Sequence, residues 1–261
     1  MGHVSIVSVD EVGPQAFPDL TGITSQGNVQ SRAIITGLER PLWLWMHELM
    51  PGASIRWDTP DVGHVLHVWK GGVTADGQAS GSDAVICIEH KAHAVIEAGE
   101  YGATLLHYHR RIPHPTQGSR PGGHVHVSGK DGLLKVRNEE YDVTTTFWLD
   151  SRCPNCELWL HKSDIVNPRP QSLPHFHPED EIIFVVKGGM IVGRRILKPG
   201  TALAVDANTT YAFGVDKGGL AFTNFRPTEP HFVMMSRDGP KHAPYNEREQ
   251  MSIGTVVSRG A

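Results

Sequence analysis

Residues Pro174 to Phe184 read PHFHPEDEIIF, and within them His175, His177 and Glu181 follow the pattern His-x-His-x3-Glu, with Gly188 beyond. On an extended strand, side chains two apart share a face, so the two imidazoles can point into one cavity. Pro178-Glu179-Asp180 favours a turn, after which Glu181 opens the apolar run Ile182 to Val186. That run is a core-strand candidate, stopped by Lys187-Gly188-Gly189. Two imidazoles and a carboxylate suit a divalent transition metal better than an alkaline-earth ion, because nitrogen donors select for it. An isolated His-x-His is more often an ordinary strand with two histidines on one side, so the weight falls on the offsets of the glutamate and the glycine.

The composition around this stretch is that of a turn-rich chain. Its 261 residues include 28 Gly and 18 Pro, 39% are hydrophobic, and the formal charge is -4. No apolar run approaches the roughly 18 residues of a membrane span, and no basic stripe marks a nucleic-acid surface. The start, Met1-Gly2-His3-Val4-Ser5, lacks a basic segment followed by an apolar core, so no secretory signal is expected. Three cysteines, an odd number, argue against a disulfide scaffold and for a reducing, cytoplasmic setting. Cys153-Pro154-Asn155-Cys156 has CxxC spacing, but without a second pair it reads as a structural turn.

Strand candidates recur along the chain, at Val4 to Val9, Gln26 to Ile35 and Leu42 to Leu49, whereas helical periodicity is confined to about one turn at Glu247 to Gln250. An all-β fold follows. A search for internal similarity adds a repeat. At a shift of 117 residues, Glu181-Ile-Ile-Phe-Val-Val-Lys-Gly-Gly falls on His64-Val-Leu-His-Val-Trp-Lys-Gly-Gly, His175 falls on Asp58 and His177 on Pro60. Thr201 to Tyr211 lies on Asp83 to His93 at a shift of 118, which implies one residue of slip between the two segments. Upstream, Trp159-Leu160-His161 matches Trp45-Met46-His47 loosely. The Pro- and Gly-rich stretch Arg111 to Gly123 reads as a linker, and His124 to Val136 as a hairpin turning at Lys130-Asp131-Gly132. His124 and His126 repeat the His-x-His spacing, but no carboxylate stands four residues on.

The paired segments resemble the two conserved motifs of the cupin superfamily, with Arg169 standing where the first motif begins with glycine in the second copy. The resemblance implies two tandem jelly-roll barrels: residues 1–110 with a partly degenerate metal motif, a linker and hairpin at 111–144, and residues 145–261 with the metal motif and a tail. It further implies a metal on two His and a Glu from the first motif plus a His from the second. Here the second-motif position is Tyr211, a poor ligand, which leaves His175, His177 and Glu181 as a three-ligand site with open positions and Tyr211 as a catalytic helper. Asp58, His64 and His93 are the corresponding candidates for a second site in the first half.

Two His and one carboxylate with vacancies is the arrangement of non-heme Fe(II) oxygenases. The expectation is therefore a metal-dependent oxidoreductase of the dioxygenase type, with Fe(II) first and Mn, Ni, Zn or Cu as substitutes. Its partners are a small organic substrate, O2 and a possible second copy in a homodimer. An isomerase, lyase or hydrolase using the ion as Lewis acid, or a non-enzymatic binding protein, are the alternatives, because fold is not function. Trp159, His161, Phe184, Tyr211 and Phe213 are the expected pocket lining.

Overall fold

The computed structural model describes residues 2–113, 120–150, 153, 155 and 158–259. The chain divides into two compact units, the first built on Asp10–Gly132 and the second on Leu133 onward together with Met1–Val9. Each is an antiparallel β structure, and the one α-helix among the described residues is Glu247–Ile253.

In the first unit the strands Val29–Ile35, Leu42–Leu49, His93–Arg110, His64–Ala75, Val85–Ile88 and Val125–Ser128 hydrogen-bond in that order. The early part of His93–Arg110 also pairs with Ser54–Asp58. Its sequence shows why one face is buried: Ala94, Ile96 and Ala98 point into the core while His93, Val95 and Glu97 alternate outward. Ile55, Leu66, Ile86 and Leu105 complete a core with no solvent access. Each such side chain contributes about 1.5–3 kcal/mol on burial.

The second unit repeats this plan with Thr201–Val205, Glu181–Val192, Gly214–Arg226 and Trp159–Ile165 as consecutive neighbours. Ile183, Val185, Leu203, Val215 and Phe222 form its core. The motif glycine is fixed by space in both copies. Gly188 and Gly71 have φ of +72° and +76°, and a Cβ there would meet the carbonyl oxygens of Gly219 and Gly102 at 2.0 and 2.2 Å. Any other residue would push the paired strands apart.

Strand pairing revises three details of the sequence reading. Val4–Ser8 pairs with Thr201–Val205, so the first residues complete the second barrel instead of the first. The expected hairpin over 124–136 is split: Val125–Ser128 joins Val85–Ile88, while Leu134–Asn138 joins Val143–Phe147 and Thr255–Arg259. Val125–Ser128 gains a ladder at a sheet edge and Leu134–Asn138 one on each side, which a short isolated hairpin cannot match. Finally, Trp43 stands opposite His109 and Trp159 opposite Arg226, so the true counterparts upstream are Trp43 and Trp159, displaced by two residues from the match read in the sequence. A displacement of two leaves every side chain on the same face, so hydrophobic pattern alone could not detect it.

The one-residue slip also moves. His64 pairs with Ile88 and Glu181 with Val205, keeping the 117 shift through both second-motif strands. Beyond them Asp58 pairs with His93 as His175 pairs with Tyr211, so the slip lies after the strand. Cys156 and Pro154 of the CxxC turn lie outside the described residues.

Candidate functional site

In the second barrel His175 comes from the two-residue strand His175–Phe176, His177 follows it, and Glu181 opens Glu181–Val192. All three side chains are buried. His175 Nδ1 donates to the Leu173 carbonyl at 3.3 Å, and His177 Nδ1 to the His231 carbonyl. With their protons on Nδ1, both rings present Nε2 as a lone pair, the tautomer found in metal-bound histidines whose second nitrogen is held by a carbonyl. His177 Nε2 lies 3.9 Å from Glu181 Oε2.

Glu181 is where the last strand enters the site. Its Oε2 accepts from Asn224 Nδ2 at 2.7 Å and from the Arg226 guanidinium, whereas Oε1 is buried with no hydrogen-bond partner. Burial pushes the carboxyl pKa up, but Arg226 foremost, then His177, Tyr211 and Asn224, outweigh it and bring it down to about 2. The same burial lowers His177 to about 3 and lowers His175, so at neutral pH the trio is two neutral imidazoles and one carboxylate. That protonation state is the one a metal requires.

Tyr211 is paired to His175 through two backbone hydrogen bonds of 2.9 Å, its ring 4.4 Å from the imidazole. Burial and the Glu181 charge raise its pKa well above the phenol range, so it keeps its proton. Residues the sequence reading missed close the pocket: Arg226, Asn224, Phe232 and Tyr245. The Tyr245 hydroxyl accepts from Asn224 at 3.1 Å, and its ring lies 5.1 Å from that of His177. A capping box on Glu247–Ile253 anchors it, with Glu249 Oε2 accepting from the Tyr245 amide at 2.8 Å. The tail therefore packs on its own barrel. Phe184 does not line the pocket, because three residues after Glu181 it takes the opposite sheet face. Trp159 and His161 do stand near Tyr245, with rings 5.4 Å from it.

The first barrel is organised differently. Asp58 and His93 pair at 2.9 Å but are 69% and 73% exposed, so they do not meet His64, which is buried. Asp58 takes the position of His175 yet points outward, and no three-residue site of Asp58, His64 and His93 forms. His64 instead joins His107 and His109, and among the described residues theirs are the three metal-capable side chains whose ligand atoms all lie within 4.8 Å of one another. His47 extends the cluster, its Nε2 3.0 Å from His107 Nδ1. The 117 shift places His64, His107 and His109 on Glu181, Asn224 and Arg226. His107-Tyr108-His109 is itself a His-x-His, and carrying the repeat on to the last strand would have found it. His124 and His126 gain a carboxylate from just beyond the neighbouring strand Val85–Ile88: Glu89, buried, accepts from both at 2.9 Å. Both rings are about half exposed and serve to hold Val125–Ser128 on the sheet edge.

Burial keeps all four clustered histidines of the first barrel neutral, lowering His47 to about 3 and His109 to about 4, with His64 and His107 well below the ordinary value. In the unfolded chain they take up protons near pH 6.5, so the stability they contribute is complete above about that pH and drains away as pH falls toward 4. Thermal melts of metal-stripped protein should show Tm falling from about pH 7 to about pH 5, before the carboxylates protonate. A flat Tm over that range would mean the cluster is hydrated.

No family model matches the sequence, and no curated protein matches it either. Solved structures do. The chain is similar to the protein Ylba from E. coli, with a TM-score of 0.67 at 12% identity over 86% of this chain and 91% of that one. A candidate dioxygenase from Nostoc punctiforme gives 0.64 at 10% identity over 86% and 82%. The oxalate decarboxylase of Lactobacillus farciminis, in a formate complex, gives 0.63 at 13% identity over 88% of each chain. Two antiparallel jelly rolls in tandem, each with its motif glycine at the bulge, give the chain the cupin fold. This chain has the two-barrel fold of these structures. No helix among the described residues is long and apolar enough to cross a membrane.

Proposed function

We propose that this chain is a metal-dependent enzyme acting on a small organic molecule, with its chemistry in the second barrel. The observation that carries the reading is the donor set: two imidazoles with Nδ1 tied to carbonyls, beside a buried carboxylate whose Oε1 makes no close hydrogen bond and which the Tyr211 hydroxyl approaches. Leaving such an oxygen buried costs about 1–3 kcal/mol or more, which a ligated ion would offset. His175, His177 and Glu181 would hold the ion, Fe(II) foremost, with Mn, Ni, Zn or Cu also suited to nitrogen and oxygen donors. When bound, it supplies Lewis acidity and, as Fe(II), a route to O2.

The residues around it divide the remaining work. Asn224 and Arg226 hold Oε2, which leaves Oε1 as the carboxylate oxygen that would face the ion. Tyr211 retains its proton and can donate a hydrogen bond to an oxygen of a bound molecule, while Phe232 and Tyr245 wall the pocket against water. The candidate dioxygenase and the oxalate decarboxylase among the structural neighbours support an enzymatic reading over a purely binding one.

A second reading, Lewis-acid chemistry without O2, is favoured by the protonated phenols of Tyr211 and Tyr245, which are suited to stabilising a developing oxyanion. An oxygen electrode separates the two. Protein loaded with Fe(II) and given a panel of small organic acids should consume O2 in step with substrate loss and stop under argon. Unchanged conversion under argon would leave the Lewis-acid reading in place. No ion uptake at all by the second barrel would remove both.

A further inference from the structure

We propose that the first barrel carries a metal site of its own, built from His64, His107 and His109, with a ligand set unlike that of the second barrel. The inference is independent of the reading above, since it concerns other residues in another unit. His64 opens the strand His64–Ala75, and His107 and His109 lie two apart near the end of His93–Arg110. His64 and His109 are directly opposite each other in the ladder, so strand alternation and register bring all three rings to one buried face.

The nitrogens are close to the spacing an ion needs. His64 Nδ1 and His107 Nε2 are 2.8 Å apart, and the third ligand atom lies within 4.8 Å of both. With metal–nitrogen bonds of about 2.0–2.1 Å, ligand nitrogens of a tetrahedral site stand about 3.3 Å apart. A bound ion would hold the close pair about half an ångström further apart. His109 is the independent pointer to a ligand: its Nδ1 donates to the Arg110 carbonyl at 2.8 Å, and its Nε2 is buried without a hydrogen-bond partner. His107 is aimed by a relay, Ser31 Oγ to His47 Nδ1 at 2.8 Å and His47 Nε2 to His107 Nδ1 at 3.0 Å. Such outer contacts orient ligating histidines in known metal sites. The Trp57 ring packs edge-on to His107, with centroids 5.8 Å apart.

Comparison with the second barrel sharpens the point. There the equivalent positions are Glu181, Asn224 and Arg226, which bond to one another, Asn224 to Glu181 at 2.7 Å and Arg226 to the same oxygen. The histidine trio has one nitrogen left over. Three neutral nitrogens and no carboxylate select Zn(II), Co(II), Ni(II) or Cu(II) over Mg or Ca, and three ligands leave a coordination position for water or an anion.

The test uses the full chain, stripped of metal and titrated with Co(II), read by visible d–d absorption and elemental analysis. His109→Gln should take up about one ion fewer per chain than wild type, and His177→Ala should retain the first-barrel ion. If His109→Gln loads as wild type does, the site is overturned, whatever the second barrel binds. Loss of all uptake in His177→Ala would also overturn it, while leaving the second-barrel site standing. Because a histidine variant can fail to fold, anomalous scattering from Co(II)-soaked wild-type crystals gives a separate readout. A peak among His64, His107 and His109 supports the site, and its absence at saturating Co(II) removes it.

Discussion

Replacing His177 by Ala is expected to weaken ion binding in the second barrel by more than about 100-fold and to abolish turnover with it. The side chain is buried, its Nδ1 is committed to the His231 carbonyl, and Nε2 faces Glu181 at 3.9 Å. Removing it deletes one of three donors and lets water reach the carboxylate. Titration of metal-stripped protein with Mn(II) or anaerobic Fe(II) measures the loss. His109→Gln serves as the control, because it leaves the second barrel intact. Full turnover in His177→Ala, or in metal-stripped wild type, would end the proposal that this barrel is a metal-dependent active site.

The second large effect concerns Arg226, whose guanidinium is wholly buried between Glu181 and Glu179 and stacks on Tyr245 at 5.1 Å. Arg226→Leu should destabilise the metal-free protein by about 3–5 kcal/mol, because it leaves the Glu181 charge buried and uncompensated. Glu181 would then no longer be held near 2, since burial alone pushes its pKa up. A divalent ion can take over the compensation, so added metal should stabilise Arg226→Leu more than it stabilises wild type. Urea unfolding with and without Mn(II) reads both quantities. Equal stabilisation of the two proteins would mean that the ion does not reach Glu181.

The two histidines and the glutamate of the candidate second-barrel site could be picked out in the sequence because they lie close together, on and between two consecutive strands, and strand alternation is a local rule. Arg226, Asn224 and Tyr245 were not legible in that way. They lie more than 40 residues downstream of Glu181 and arrive by cross-strand pairing and by the capped tail helix. The first barrel shows the converse. Asp58 and His93 were matched to the right counterparts, but the slip falls beyond the strand, and their side chains face solvent at 69% and 73% exposure. The histidines that do converge, His107 and His109, sit on the last strand, outside both motifs.

Composition, the motif glycines at 71 and 188 and the 117-residue repeat were enough to establish a duplicated all-β barrel, since these reflect steric needs of the local chain. Tertiary structure decided which polar residues share a cavity. Register between strands distant in sequence sets that, and a sequence of alternating residues is compatible with several registers until the strands are paired. For the same reason only the folded chain shows that two facing positions in the repeat hold a Glu–Arg ion pair in one barrel and a pair of histidines in the other.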